Sequence, residues 1–180
     1  MAYFPFFIDI KNKPCLVVGS GKIAKSKIHT LMDFEADVTC ISKEFVQIEG
    51  CTCIQKEVEL KDIDNFDIVI AATDNKTLNH EIASYCKDKN ILVNAVDQKE
   101  DCMFIFPSLI HQKNVVAAFS SSGKNPLICQ YLRKQNENIV TEQLGDINEK
   151  MEVIRDQLKD IDIESRKKIL KEFLLDALEK

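Results

Sequence analysis

Cys15-Leu16-Val17-Val18-Gly19-Ser20-Gly21-Lys22-Ile23-Ala24 is the stretch on which the reading of this 180-residue chain turns. Cys15 to Val18 is a short apolar run stopped by glycine, the signature of a strand buried on both faces. From Lys22 to Phe34 the apolar residues Ile23, Ala24, Ile28, Leu31 and Met32 recur at helical spacing. Between them lies G-x-G-x-x-A. Gly19 permits the tight turn, Gly21 lets backbone approach a pyrophosphate, and Ala24 is small enough for helix to approach strand. A helix N-terminus placed there offers free N–H groups and a partial positive charge. Strand before and helix after favour a dinucleotide-binding turn over a plain tight turn. The candidate cofactor contacts are Gly19, Ser20, Gly21, Lys22, Ile23 and Ala24.

Outward from this turn the chain alternates. Strands are predicted at Asp37–Ile41, Cys51–Gln55, Asp67–Ala72 and Ile91–Val96, with a helix carrying Leu78, Ile82, Ala83, Tyr85 and Cys86 before the last. This β-α-β alternation predicts an α/β, Rossmann-like, doubly wound parallel sheet with helices on both faces. Past residue 100 the pattern changes. Met103 to Phe106 is apolar and is broken by Pro107; Val115 to Phe119 reads as a strand and Ser120 to Lys124 as a loop. Asn125-Pro126 reads as an N-cap with proline at the first helical position. Leu127, Ile128, Tyr131 and Leu132 follow on that helix. The tail is helical, with stripes at Leu144, Ile147, Met151, Ile154 and Leu158, then Ile169, Leu170, Phe173, Leu174, Ala177 and Leu178. These stripes must be covered, either by the same chain or by a second copy. The expected division is a dinucleotide-binding domain over 1–112, a dimerisation strand and helix over 113–141, and a helical carboxy-terminal region over 142–180.

Composition narrows the function classes. Hydrophobic residues make up 45% and charged residues 29%, which argues against a disordered chain. The net charge is −5 and the only arginines are Arg133, Arg155 and Arg166, so no basic stripe suggests nucleic acid. No apolar run approaches the roughly 20 residues of a membrane helix, and the start lacks the features of a secretory signal. The cysteines, Cys15, Cys40, Cys51, Cys53, Cys86, Cys102 and Cys129, are odd in number and lie in apolar runs, so they read as small hydrophobes in a reducing cytoplasm. Cys51 and Cys53 lack zinc-site spacing, and His29, His80 and His111 form no ligand set, so no metal site is expected. His29 and His80 read as helix-surface residues; His111 stays an acid/base or metal candidate.

Further candidates lie beyond the carboxyl ends of the strands, where such sheets bind ligands. After the second strand, Ser42-Lys43 stands where an acid commonly reads the ribose. Ser42 could bond a ribose hydroxyl, Glu44 is close by, and Lys43 is either a solvated charge or tolerant of a 2′-phosphate. Thr73 and Asp74 follow the next central strand, as a helix cap, as a loop over the nicotinamide, or as both. Asp97 follows the last strand. It is either a turn aspartate bonding its own backbone or, if partly desolvated, a general base beside the nicotinamide.

Taken together, these residues resemble the precorrin-2 dehydrogenase family, the module that also forms the amino-terminal part of multifunctional siroheme synthases. The carriers are Phe4-Pro5-Phe6-Phe7, the 15–24 stretch with Lys27, Ala71-Ala72-Thr73-Asp74, Leu78-Asn79, Val93-Asn94-Ala95-Val96-Asp97, Phe104-Ile105-Phe106-Pro107-Ser108 and Ser120-Ser121-Ser122-Gly123-Lys124-Asn125-Pro126. Glycine is frequent in the family where Ser20 and Ser122 stand here. The resemblance implies NAD-dependent oxidation of precorrin-2 to sirohydrochlorin, with Asp97 on the family's catalytic aspartate. It implies a homodimer in a cytoplasmic tetrapyrrole pathway, and some members also insert ferrous iron with the same aspartate. A substrate bearing eight carboxylates needs local positive charge or helix N-termini. Asn94, Ser120, Ser121, Ser122, Gly123 and Lys124, with Arg133 and Lys134 nearby, are the expected substrate contacts. The competing class is a nucleotide-sensing module without chemistry, in which Asp97 would be dispensable.

Overall fold

The computed structural model describes residues 3–179, which form two compact units, 3–105 and 106–179. In the first unit, β1 (Pro14–Val18), β2 (Asp37–Ser42), β3 (Thr52–Gln55), β4 (Ile68–Ala71) and β5 (Leu92–Ala95) make one sheet in the order β3-β2-β1-β4-β5. Every pair is parallel. The chain winds outward from β1 to β3 and then crosses to β4 on the other side of β1. The carboxyl ends of β1 and β4 therefore flank the switch point at which such sheets hold ligands.

Register explains the core. Leu16 pairs with Val69 and Val18 with Ala71, while Val69 pairs with Val93 and Ala71 with Ala95. Side chains alternate across a strand, so these residues share one face. There they join Ile82, Ala83 and Cys86 of helix α2 (Lys76–Lys89) in a single buried cluster. The opposite alternation, with Val17, Cys40 and Ile70, is fully buried too. Helix α1 (Lys22–Asp33) adds buried Ala24, Ile28 and Leu31, residues that do not belong to the first cluster. The doubly wound architecture expected from the sequence is the one observed. All seven cysteines are free thiols.

The second unit begins with a hairpin, β6 (Ser108–Gln112) and β7 (Val115–Phe119), paired antiparallel with each other in a sheet of two strands. The apolar run Met103 to Phe106 forms no strand. Met103 N donates to Val93 O (2.8 Å) and Asn94 Nδ2 to Phe104 O (2.9 Å), so the run is tied to β5 by single bonds, and pairing starts only after Pro107. The expected boundary at residue 112 falls on the last residue of β6; the compact units divide between Ile105 and Phe106 instead. Helix α3 (Pro126–Asn136) is capped by Asn125, whose side chain accepts from Leu127 N, with Pro126 in the first turn as expected. Thr141 caps α4 (Glu142–Gln157) and Asp162 caps α5 (Ile163–Leu178). At Gly145 a Cβ would lie 2.9 Å from Gln112 O, so α4 meets the hairpin with no room for a side chain. Lys113 in the hairpin turn reinforces that contact through Asp146 and Glu149, each at 2.6 Å.

Candidate functional site

The glycine turn shows two different demands. Gly19 sits at φ +118°, and a Cβ there would lie 2.4 Å from Ala72 O, so the fold itself excludes a side chain. Its N–H donates to Ile41 O (2.9 Å), which draws the turn toward β2. Gly21 is the N-cap of α1 with an ordinary φ of −69°, and a Cβ on it would meet nothing within 4 Å. The fold has no need of glycine there; the open space is room for a close ligand. No side chain caps α1 and no acid occupies its first turn, so its N–H groups and positive dipole end stay available. Ala24 is fully buried, as helix–strand approach requires. Lys22 and Ile23 are exposed and do not line the adjoining cavity. Lys27, half-buried on α1, is held below the ordinary lysine range by burial.

That cavity, about 620 Å³, lies along the carboxyl ends of β1, β2 and β4. Its walls include Gly19, Ser20 and Gly21 from the turn, Ser42, Lys43 and Glu44 from the end of β2, and Thr73, Asp74 and Asn75 from the end of β4. Ser42 is buried and its hydroxyl donates to Glu44 O (2.6 Å). Lys43 pairs with Glu57 at 2.9 Å, which raises the lysine and lowers the glutamate. Lys56, also in the wall, pairs with Asp62 at 2.6 Å and lowers that carboxyl.

Thr73 does not cap the following helix. The cap is Asn75, which accepts from Leu78 N (3.1 Å). Thr73 turns inward to Asn79, a side chain only 1% exposed. The Thr73 hydroxyl donates to Asn79 Oδ1 (2.6 Å), Thr73 N donates to the same oxygen (3.2 Å), and Asn79 Nδ2 donates back to Thr73 O (3.0 Å). Among the candidates drawn from residue chemistry Asn79 was missing. Its signals were its place in Leu78-Asn79, one of the stretches that carry the family resemblance, and a polar residue on the apolar face of a helix.

Asp97 stands two residues past Ala95, as Thr73 stands two past Ala71, and those alanines are paired in register. The two loops therefore leave neighbouring strands side by side. Asp97 is exposed, at φ +59°, and does not line the cavity. The partial desolvation anticipated for a base is not supplied by this unit. Asn94 is buried, and its amide donates to Phe104 O (2.9 Å) and Cys102 Sγ (3.5 Å), so the structure uses it to hold the 102–104 segment. His80, exposed as expected, nonetheless engages Asp101 at 2.9 Å.

The Ser120–Lys124 loop belongs to the second unit. Ser122 and Gly123 have φ of +56° and +72°. Ser120 Oγ accepts from Ser122 N (3.0 Å), while Ser121 Oγ accepts from Asn125 N and donates to Asn125 O, both 2.9 Å. These bonds build the turn that leads into α3. Lys124 and Lys134 are exposed, and Arg133 pairs with Glu137 one turn on. The same unit holds a cavity of about 490 Å³ lined by Arg155, Glu152 and Met151 among others, which no sequence candidate touches. Among the described residues no group of three or more His, Cys, Asp or Glu could hold a metal, and no helix is long and apolar enough to cross a membrane.

Residues 6–108, more than half of the chain, match the protein family described as "Putative NAD(P)-binding". The chain belongs to this NAD(P)-binding family. Its relatives include the siroheme synthase of Vesicomyosocius okutanii subsp. Calyptogena okutanii, 37% identical over 166 residues, covering 88% of this chain and 36% of that protein. The siroheme synthase of Ruthia magnifica subsp. Calyptogena magnifica is 38% identical over 167 residues, covering 89% and 35%. The chain thus spans about a third of the length of these curated relatives. A solved structure described as SirC, precorrin-2 dehydrogenase, superposes with a TM-score of 0.75 at 19% identity, over 99% of this chain and all of that one, and shares the fold. A dinucleotide fits the arrangement of this unit: an uncapped helix N-terminus, an open face at Gly21, and a cavity running from that turn to the ends of β2 and β4.

Proposed function

We propose that the chain oxidises precorrin-2 to sirohydrochlorin with NAD. The observation that carries this reading is the in-register exit of the Thr73 and Asp97 loops from β4 and β5, beside a turn built for a diphosphate. The likeness in sequence to siroheme synthases and in fold to SirC supports the choice of substrate.

The backbone of Gly19, Ser20 and Gly21 and the first N–H groups of α1 would hold the diphosphate. Ser42 and Glu44, in the cavity wall at the end of β2, would face the ribose, and Thr73 and Asp74 line the wall at the end of β4. When bound, the nicotinamide supplies the acceptor for a hydride. Asp97 would take, at a carboxylate oxygen, the proton that leaves with it, so the substrate loses one hydride and one proton, which together are two electrons and two protons. Asn94, buried with its amide nitrogen bonded to Phe104 O and Cys102 Sγ, would have only its amide oxygen to offer the substrate. Ser120, Ser121, Ser122, Gly123 and Lys124, with Arg133 and Lys134, offer donors and charge to the substrate carboxylates. NAD is favoured over NADP because Lys43 and Lys56 are already matched to Glu57 and Asp62, while Glu44 in the wall would repel a 2′-phosphate. The exposed apolar face of α3 supports a homodimer, and seven free thiols suit the cytoplasm.

The test is anaerobic turnover of precorrin-2, followed by NADH absorbance. Asp97→Asn is expected to lower kcat by about 10²–10⁴-fold while NAD binds as in the parent. A variant that turns over at the parent rate removes Asp97 from the chemistry.

A further inference from the structure

Asn79 and His80 are consecutive residues of α2, and each grips a different loop. Asn79 holds Thr73 by the three bonds described above. His80 Nδ1 lies 2.9 Å from both Asp101 Oδ1 and Oδ2. Asp101 is only 8% exposed and is the hub of the segment that follows β5. Gln98 Nε2 donates to Asp101 Oδ2 (3.0 Å) and to Lys76 O in the first turn of α2 (3.1 Å). Lys87 Nζ lies 3.7 Å from Asp101 Oδ1 and donates to Glu100 O (2.9 Å). Within the turn, Asp101 N donates to Gln98 O (3.0 Å) and Cys102 Sγ to Ala95 O (3.1 Å). Asp97 sits inside this clamped segment with φ +59°, a left-handed conformation that a non-glycine residue keeps only when its surroundings over-determine it.

Stability alone does not account for the His80 contact. The His80 side chain is 61% exposed, and a polar contact with so exposed a partner contributes little to folding. Geometry does account for it. Misplacing a reacting group by about 1 Å costs on the order of 10²-fold in rate. We propose that Asn79 and His80 form a two-pronged gauge that sets the spacing between the dinucleotide and the base: Asn79 positions the Thr73 loop, and His80, through Asp101, positions Asp97. His80 is thus a positioning residue and not a catalytic one. The inference rests on the reading of Asp97 as the proton acceptor.

The two prongs predict opposite kinetic signatures. His80→Leu should lower kcat about tenfold or more, with the calorimetric Kd for NAD, the KM for precorrin-2 and the Tm close to the parent's. His80→Asn places an amide donor near the Nδ1 position and should recover most of the kcat. Asp101→Asn, which weakens the same contact from the other side, should repeat the loss. Asn79→Ala should instead raise the Kd for NAD. The proposal is overturned if folded His80→Leu or Asp101→Asn keeps the parent kcat, if kcat and NAD affinity fall together, or if His80→Asn restores nothing. Asp97→Asn is measured alongside: if it retains activity, the base assignment and this inference fall together. If it is inactive while His80→Leu is unimpaired, only the gauge is refuted.

Discussion

Gly19 and Gly21 are two residues apart and answer to different forces, which makes them the sharpest test at the residue scale. A methyl on Gly19 would press into the Ala72 carbonyl at 2.4 Å, on a backbone at φ +118°. Gly19→Ala should therefore destabilise the protein by more than about 2 kcal/mol in urea unfolding. Gly21→Ala meets open space at an ordinary φ, and the lost N-cap preference for glycine offsets the unfolded-state gain, so stability should change by less than about 1 kcal/mol. Its effect should appear as at least a tenfold loss of NAD affinity by calorimetry, roughly 1.4 kcal/mol, because the methyl fills the space a phosphate needs. Undiminished affinity in Gly21→Ala would move the diphosphate elsewhere. Both glycines were legible in the sequence because a strand–turn–helix motif is a local backbone requirement. Asn79 and Asp101 were not legible as parts of the site's scaffold, since nothing within a few residues of either reveals the loop it will meet.

Among the elements, α3 carries the clearest unsettled surface. Leu127, Ile128 and Tyr131 are 69%, 52% and 61% exposed, on the stripe whose spacing marks it as a burying face. Replacing Leu127 and Tyr131 together by Asp should turn a dimer into a monomer in sedimentation equilibrium. A parent protein that is itself monomeric at micromolar concentration would count against the homodimer. Strands β1 and β4 were readable because they are continuous apolar runs, and β2 and β5 because Thr39 and Asn94 interrupt otherwise apolar stretches only singly. The hairpin strand β6 was not: Ser108 to Gln112 carries polar residues and follows Pro107, and its strand character comes from pairing with β7. The apolar 103–106 run, to which the sequence assigns no element, forms none, because hydrophobicity without a neighbouring strand makes no ladder.

Across the whole molecule the thiols set a pH limit. Burial pushes Cys15 up to about 12 and Cys40 and Cys86 up to about 11. In the unfolded chain a thiol ionises near about 8.5. A folded value raised above the unfolded one means stability that is complete below about pH 8.5 and is lost as pH rises toward the folded values. With reductant present, Tm should fall steadily between about pH 8.5 and 11, and Cys15→Ala should flatten that slope. A Tm independent of pH over this window would show that these thiols are not shielded. The sequence alone determined whatever depends on neighbours along the chain: the α/β alternation, the glycine turn, the Asn125–Pro126 helix start and the apolar character of the cysteines. Tertiary structure alone decided how distant residues meet, as His80 meets Asp101 across 21 positions and Thr73 comes level with Asp97 through strand register. Periodicity reports which face of an element is buried; which partner it is buried against depends on topology and is settled only when the sheet assembles.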